Sequence, residues 1–215
     1  MRIVAWLLIL AGGIFFCYNM YHWQKEASVV EQNEQLAASI APDWHVQTTM
    51  PSLKQGVSVP PPPVRQGEKL GELVIPKLGR ILPIVKGTDS DSLKKGVGLY
   101  QGHGTVYPGD TGHVVLSGHR DTVFRDLGKL KKGDRLYIKY GNYLFTYQIR
   151  KSWITHADDR TVIVPISRPV LTLSTCYPFD YVGDAPDRYI IRAELIQIQE
   201  GENKHDHRSR IDQSR

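Results

Sequence analysis

Between residues 72 and 198 the chain alternates short β-favouring runs with turn residues, and this pattern constrains its fold more than any other feature. The eight predicted strands are Glu72–Ile75, Ile81–Val85, Val97–Tyr100, His113–Gly118, Arg135–Tyr140, Tyr143–Trp153, Pro169–Thr175 and Arg188–Ile198. So many short runs in about 130 residues are typical of an all-β barrel or sandwich. We predict an all-β, eight-stranded domain with short helices.

The clearest local prediction is a hairpin in the middle of this region. Leu136, Ile138 and Tyr140 alternate with other residues and are predicted to share one face, and Gly141-Asn142 is a two-residue turn of the hairpin type. Ser90–Lys95 is the best candidate for a short helix, and Phe124–Leu127 is predicted to add one helical turn. The chain shows no internal repeat, dinucleotide-binding fingerprint or phosphate-binding loop, so nucleotide chemistry is not expected.

The N-terminus predicts a membrane anchor, which occupies residues 1–23. Residues 3–23 are apolar or glycine except for Asn19 and His22, and at helical rise they span about 31 Å, the thickness of a bilayer core. Bulky Phe15 and Phe16 replace the small residues that a signal-peptidase site needs, so we expect the helix to be retained and Cys17 to be an ordinary membrane residue. We expect the N-terminus in the cytoplasm and the bulk of the chain outside.

Two segments flank the predicted β-domain of residues 67–200. Residues 24–66 are predicted to form a stalk, helical over 24–40 and then stiffened by Pro60-Pro61-Pro62-Pro63, so that removing residues 1 to about 60 leaves a soluble, folded domain. Residues 201–215 are polar and charged, which predicts a disordered tail.

Charge and cysteine content exclude several classes of protein. The 27 Lys and Arg against 22 Asp and Glu give a diffuse excess of +5, so no nucleic-acid partner is expected. Two cysteines, Cys17 and Cys176, cannot build a disulfide framework or a cysteine-rich zinc site. We expect no metal and no cofactor.

Three reactive side chains lie at the ends of predicted strands. Cys176 ends an apolar strand before Pro178, and Arg188 begins the next strand, so strand neighbours would place thiol and guanidinium side by side at one rim. His119 ends a third apolar strand. A lone Cys, His or Arg is usually structural, and only their combination predicts a catalytic site.

These residues resemble those of the sortases, the cysteine transpeptidases of Gram-positive bacteria. Leu173-Ser174-Thr175-Cys176 is similar to the family's nucleophile motif, and His119 and Arg188 occupy the places of its His and Arg. The resemblance covers residues 67–200 and includes the anchor, and Gly118-His119-Arg120-Asp121-Thr122 is most similar to class D. It implies a sortase-like β-barrel with His119, Cys176 and Arg188 as the catalytic residues, and we predict that Ser117 and Thr175 bind substrate.

The resemblance also implies a reaction and its partners. A surface protein with an LPxT-like sorting signal would be cut after its Thr, and a Cys176 thioester would pass the acyl group to a peptidoglycan-precursor amine at the cytoplasmic membrane. Arg188 offers fixed donors for the oxyanion, and His119 can transfer protons to and from the two amines. Asp121 is expected to be a solvated turn residue, although it could orient His119.

Other classes fit less well. A papain-like peptidase has Cys before His, and an L,D-transpeptidase has both in one short motif, neither of which occurs here. A metal site could use His103, His113 and His119, but no acidic or Cys ligands accompany them. A non-catalytic anchored barrel that binds sorting-signal peptides remains an alternative, which thioester formation on Cys176 would exclude.

Overall fold

The computed structural model describes residues 2–179, 183 and 185–201 of the chain. Within these residues the helices are α1 (Arg2–Ala27), α2 (Glu34–Ile40) and α3 (Ser90–Leu93), with 3-10 turns at Pro76–Leu78 and Leu127–Lys129. The strands are β1 (Glu31–Gln32), β2 (Lys69–Ile75), β3 (Arg80–Lys86), β4 (Val97–Leu99), β5 (His113–Ser117), β6 (Arg135–Tyr140), β7 (Tyr143–His156), β8 (Val170–Tyr177) and β9 (Asp187–Glu200). The predicted tail, 201–215, lies outside the described residues apart from Gly201.

Strands β2 to β9 close into a barrel, which confirms the predicted eight-stranded β-domain. The neighbours run β3-β2-β6-β7-β9-β8-β5-β4, and a parallel pairing of β4 with β3 completes the ring. Each of the eight predicted strands is present to within a few residues. The predicted short helix forms α3, while the second predicted turn of helix begins three residues late, as the 3-10 turn at Leu127.

The alternation of the strands fills the barrel with apolar side chains. Leu136, Ile138 and Tyr140 all lie in its buried core, as predicted. Tyr140 pairs with Tyr143 around the two-residue turn, where Gly141 has a φ of 58° that a side chain would disfavour.

Helix α1 is long and apolar enough to cross a membrane, by length and composition: its segment Arg2–Lys25 has a mean hydropathy of 2.0. The predicted continuous helix over 24–40 is wrong, because the chain leaves α1 after Ala27. Glu31 and Gln32 then pair with β3, and Asn33 caps α2 by accepting a bond from the Leu36 amide at 2.9 Å. Strand pairing and a new helix cap therefore interrupt a segment whose composition favours helix.

The segment predicted to be a free stalk is packed on the barrel. We call residues 41–66 the strap. Ala41 is buried against Tyr137 of β6 in a small apolar cluster, and the Asp43 carboxylate binds both the Arg135 guanidinium and the Tyr137 hydroxyl. Burial, together with the neighbouring Asp43 carboxylate, raises the pKa of Tyr137. The composition of the strap does not reveal the partners on the barrel that it covers.

Backbone hydrogen bonds fix the rest of the strap. The Leu53 amide donates to the Leu195 carbonyl at 2.8 Å, and the Val57 amide donates to the Gly109 carbonyl at 2.8 Å. Val59 is buried in the barrel core, while the prolines at 60–63 are exposed. Removing residues 1 to about 60 would therefore strip contacts from the barrel, and the domain boundaries at 23, 66 and 200 remain predictions.

We expect Asp43→Ala to lower the free energy of unfolding by about 1–3 kcal/mol, because it leaves buried donors on Arg135 and Tyr137 without their acceptor. Urea unfolding of chains that begin at residue 33 measures this. Asp91→Ala is the control, since the Asp91 side chain is 85% exposed and its pair with Lys94 is a surface one. Equal midpoints for both variants would mean that the strap does not stabilise the barrel.

Candidate active site

Cys176 and Arg188 are direct partners in the pairing of β8 with β9. Leu171 and Leu173 point into the core, so the alternation of β8 places Thr172, Ser174 and Cys176 on its outer face. Cys176 is half-buried near the strand end. The register thus brings together the thiol and the guanidinium that the sequence predicted to be side by side.

His119 reaches the same place from β5, which runs parallel to β8 and pairs Ser117 with Ser174. Two further bonds extend this pairing beyond the strand: the Gly118 amide donates to the Ser174 carbonyl at 3.2 Å, and the Thr175 hydroxyl donates to the Gly118 carbonyl at 2.8 Å. The backbone that carries His119 is therefore fixed directly to the strand that carries Cys176.

The three predicted catalytic side chains line one cleft of about 390 Å³. Arg120, Asp121, Gly183 and Ala185 complete its described lining. Arg188 Nη1 donates to the carbonyls of Ala185 at 3.1 Å and Asp187 at 3.0 Å. Within the described part of the chain, these bonds hold one nitrogen of the guanidinium and leave its other donors available to a ligand in the cleft.

The two predicted substrate-binding residues differ in position. Ser117 is half-buried on the outer face, where it is paired with Ser174. Thr175 is only 2% exposed and its hydroxyl is bonded to the Gly118 carbonyl, so it supports the His119 turn from within. Sequence reasoning missed Ser174, although its position two residues before Cys176 places both on one face. The binding roles of Ser117 and Thr175 remain predictions.

The histidines do not form a metal site in the described residues. No group of three or more His, Cys, Asp or Glu side chains lies close enough there to hold an ion. His113 is buried, with Nδ1 at 2.9 Å from the Val164 carbonyl and Nε2 at 2.7 Å from the Thr172 hydroxyl. Burial lowers the pKa of His113. One ring nitrogen thus contacts the 157–169 loop at Val164 and the other contacts β8 at Thr172, so His113 holds this loop against the barrel.

Gly118 is tightly enclosed beside His119, and a Cβ there would lie 2.6 Å from Val123 and 2.8 Å from Phe124. We expect Gly118→Ala to displace His119 and to lower the peptide-cleavage rate by roughly 10²-fold, the effect of a misplacement of about 1 Å. Gly12→Ala is the control, since nothing lies within 4 Å of a Cβ there. A wild-type rate for Gly118→Ala would show that the His119 position is not critical.

The chain is similar to proteins of a known family. Residues 73–196 match the family model of the sortase domain. Sortase D of Bacillus subtilis (strain 168) is 53% identical over 133 residues, which are 60% of this chain and 65% of that protein, just under two thirds of its length.

Solved structures agree with this match. The catalytic domain of the Bacillus anthracis sortase SrtD is 53% identical with a TM-score of 0.57, over 67% of this chain and 98% of that domain. A Clostridium perfringens Sortase D5 transpeptidase is 29% identical with a TM-score of 0.56, over 62% of this chain and 82% of that structure. The family match, the relatives and the barrel agree, and the chain belongs to the sortase family.

Proposed function

We propose that this chain is a membrane-anchored cysteine transpeptidase. It cleaves an LPxT-like sorting signal of surface proteins after Thr and transfers the acyl group, through a thioester, to the amine of a peptidoglycan precursor. The observation that carries the proposal is the pairing of Cys176 with Arg188 in one cleft with His119. The similarity to a Clostridium perfringens transpeptidase supports the same reaction.

The first half of the reaction forms the thioester. The Cys176 thiolate, with the proton held on His119, attacks the carbonyl carbon of the Thr residue. The carbonyl oxygen becomes an oxyanion that Arg188 stabilises with donors not used by its backbone partners. The C–N bond then breaks, and His119 gives its proton to the departing amine. The acyl group remains bound to sulfur.

The second half reverses these roles. The incoming amine loses a proton to His119 and attacks the thioester carbonyl, so that a C–N bond forms as the C–S bond breaks. The Cys176 thiolate is regenerated, and His119 again carries the proton that the next cycle needs. No cofactor takes part in either half.

The outer face of β5 and β8 is the surface that we assign to the sorting peptide. Ser117 and Ser174 lie there as a pair of half-buried hydroxyls on the face that carries Cys176. The 157–169 loop borders this face and is held in place by His113 at the Val164 carbonyl and by Arg192 Nη2, which donates to the Val162 carbonyl at 2.8 Å. The 157–169 loop, held by these bonds, and the Ser117 and Ser174 hydroxyls would border an extended peptide bound along this face.

Helix α1 supports membrane attachment, and we propose that the N-terminus lies in the cytoplasm with the barrel outside. Only residues 28–30 separate α1 from β1. The strap does not hold the barrel away from the bilayer, because it lies on the barrel itself. The site is therefore expected to work close to the membrane surface.

Incubation of the purified chain with LPxT peptides and a soluble glycine amide tests the proposed reaction. We expect mass spectrometry to show peptides cut after Thr, with the glycine amide joined to the new carboxyl end. Binding of the peptides without any cleaved or joined product would overturn the proposal in favour of a non-catalytic barrel.

A further inference from the structure

The loop that leads into β6 concentrates positive charge at the surface. We call residues 125–132 the basic loop. Its exposed residues are Arg125, Gly128, Lys129, Lys131 and Lys132, so every exposed side chain in it is a cation. The side chains of Leu127 and Leu130 are buried in the barrel core and fix the backbone between these cations.

Three of the four exposed cations have no acidic partner. Lys129 is paired with Asp126 at 2.9 Å. Within the part of the chain that the structure describes, no carboxylate forms an ion pair with Arg125, Lys131 or Lys132. These three side chains are therefore available to an anionic partner outside the barrel.

Both ends of the basic loop are fixed to the turn between β2 and β3. At the first end, the guanidinium of the buried Arg80 donates to the Asp126 carboxylate at 2.9 Å. At the second end, Lys77 Nζ donates to the Asp134 carboxylate at 2.7 Å, and the same carboxylate accepts a bond from the Lys131 amide at 2.7 Å. The basic loop therefore keeps a fixed position relative to this turn.

The apolar helix α1 is joined to the barrel at the same turn. Gln32 of β1 pairs with Arg80, and the Asn33 amide donates to the Gly79 carbonyl at 2.9 Å. The connection between α1 and β1, residues 28–30, spans at most about 14 Å when fully extended. The turn, and the basic loop with it, must therefore remain close to the headgroups of a membrane that α1 crosses.

This closeness matters because lipid charge acts only over a short range. The negative potential of an anionic membrane attracts nearby Lys and Arg side chains and falls off within a Debye length of about 8 Å. The exposed acids Glu31 and Glu34 lie on β1 and α2, and β1 lies on the edge of β3 away from β2 and β6. The unpaired positive charge therefore belongs to the loop side of the turn.

The basic loop also contacts the segment that follows the candidate nucleophile. A Cβ added at Gly128 would lie 2.9 Å from the ring of Phe179, so the two residues are in close contact. Phe179 packs edge-on against Tyr177, with ring centroids 5.6 Å apart, and Tyr177 directly follows Cys176. A surface that holds the basic loop would therefore also set the orientation of the catalytic cleft.

We propose that the basic loop binds anionic phospholipid headgroups through Arg125, Lys131 and Lys132, and so holds the barrel in one orientation on the membrane. This inference rests on the proposed membrane attachment through α1, and not on the proposed acyl transfer. Charge complementarity and the short connection to α1 identify the partner. A zwitterionic surface has no net charge to attract these cations, so the contact requires anionic lipid.

The test compares the full chain in nanodiscs of phosphatidylcholine with the full chain in nanodiscs of equal parts phosphatidylcholine and phosphatidylglycerol. The readout is amide hydrogen exchange, measured by mass spectrometry. We expect exchange in the basic loop to be about tenfold slower in the anionic nanodiscs, and this difference to disappear in high salt, which screens charge. Exchange at the Gly141-Asn142 turn, at the other end of β6, should be equal in both.

The double variant Lys131→Gln and Lys132→Gln should reduce the tenfold difference to less than about threefold, because it removes two of the three unpaired cations. The matched control is the double variant Lys69→Gln and Lys95→Gln, which removes the same charge from exposed positions. Lys69 begins β2 and Lys95 lies beside Gly67, so both lie at the end of β2 away from the turn. The control should keep the tenfold difference.

Equal exchange of the wild-type basic loop in the two kinds of nanodisc, or an equal loss of protection in both double variants, would overturn the proposal. It would also be overturned if soluble glycerol phosphate slowed exchange of the loop to the same extent in neutral nanodiscs, because the ligand would then be a free phosphate. A full chain that enters neither kind of nanodisc would instead overturn the membrane attachment on which the inference rests.

Discussion

Cys176→Ala should abolish transpeptidation, with a loss of at least about 10⁴-fold in the rate of peptide cleavage. Without sulfur no thioester can form, and the removal of a nucleophile is among the largest single effects known in covalent catalysis. The fold should persist, because Cys176 is half-buried near the end of β8 and contributes little to the core. Cleavage of an LPxT peptide and the midpoint of urea unfolding measure the two effects separately.

Cys17→Ala is the matched control for this prediction, since it removes the second thiol of the chain from an exposed position on α1. It should leave the cleavage rate unchanged. Residual cleavage by Cys176→Ala at a rate near wild type would show that the nucleophile lies elsewhere.

Arg188→Lys should reduce the cleavage rate by roughly 10²-fold or more, although it preserves the positive charge. Arginine can hold the Ala185 and Asp187 carbonyls with Nη1 while a different nitrogen of the same rigid plane faces the oxyanion. A lysine has a single nitrogen and no planar fork, so its donors cannot serve both places in a fixed geometry. A rate within about twofold of wild type would mean that charge alone is sufficient, contrary to the role assigned to the guanidinium.

His119→Ala separates proton transfer from oxyanion binding. The loss should be at least as large as that of Arg188→Lys for an amide substrate, whose amine must leave with a proton. It should be much smaller for an activated ester, whose leaving group needs none. Equal losses on amide and ester would exclude general-acid catalysis by His119.

Much of the barrel could be predicted because each strand carries its own local pattern. The alternation of Leu136, Ile138 and Tyr140 reflects burial on one face, and this depends on neighbours in the sequence. The Cys176–Arg188 pairing also follows from adjacent strands joined by one loop. The position of His119 needs the parallel pairing of β5 with β8, which local patterns do not encode.

The packing of the strap could not be predicted for a similar reason. Asp43 meets Arg135 across 92 positions, and a proline-rich composition describes only the stiffness of the strap. Ser174, by contrast, could have been identified from the sequence, because it lies two residues before Cys176 and strand alternation places both on one face.

The most direct test of the central claim is the mass of the intact protein after incubation with an LPxT peptide in the absence of any added amine, followed by an acid quench. We predict an increase equal to the acyl fragment that ends at Thr, located on Cys176 by peptide mapping and removed by hydroxylamine, as a thioester should be. The absence of any adduct, or an adduct on another residue while the peptide is still cleaved, would contradict the assignment of Cys176 as the nucleophile.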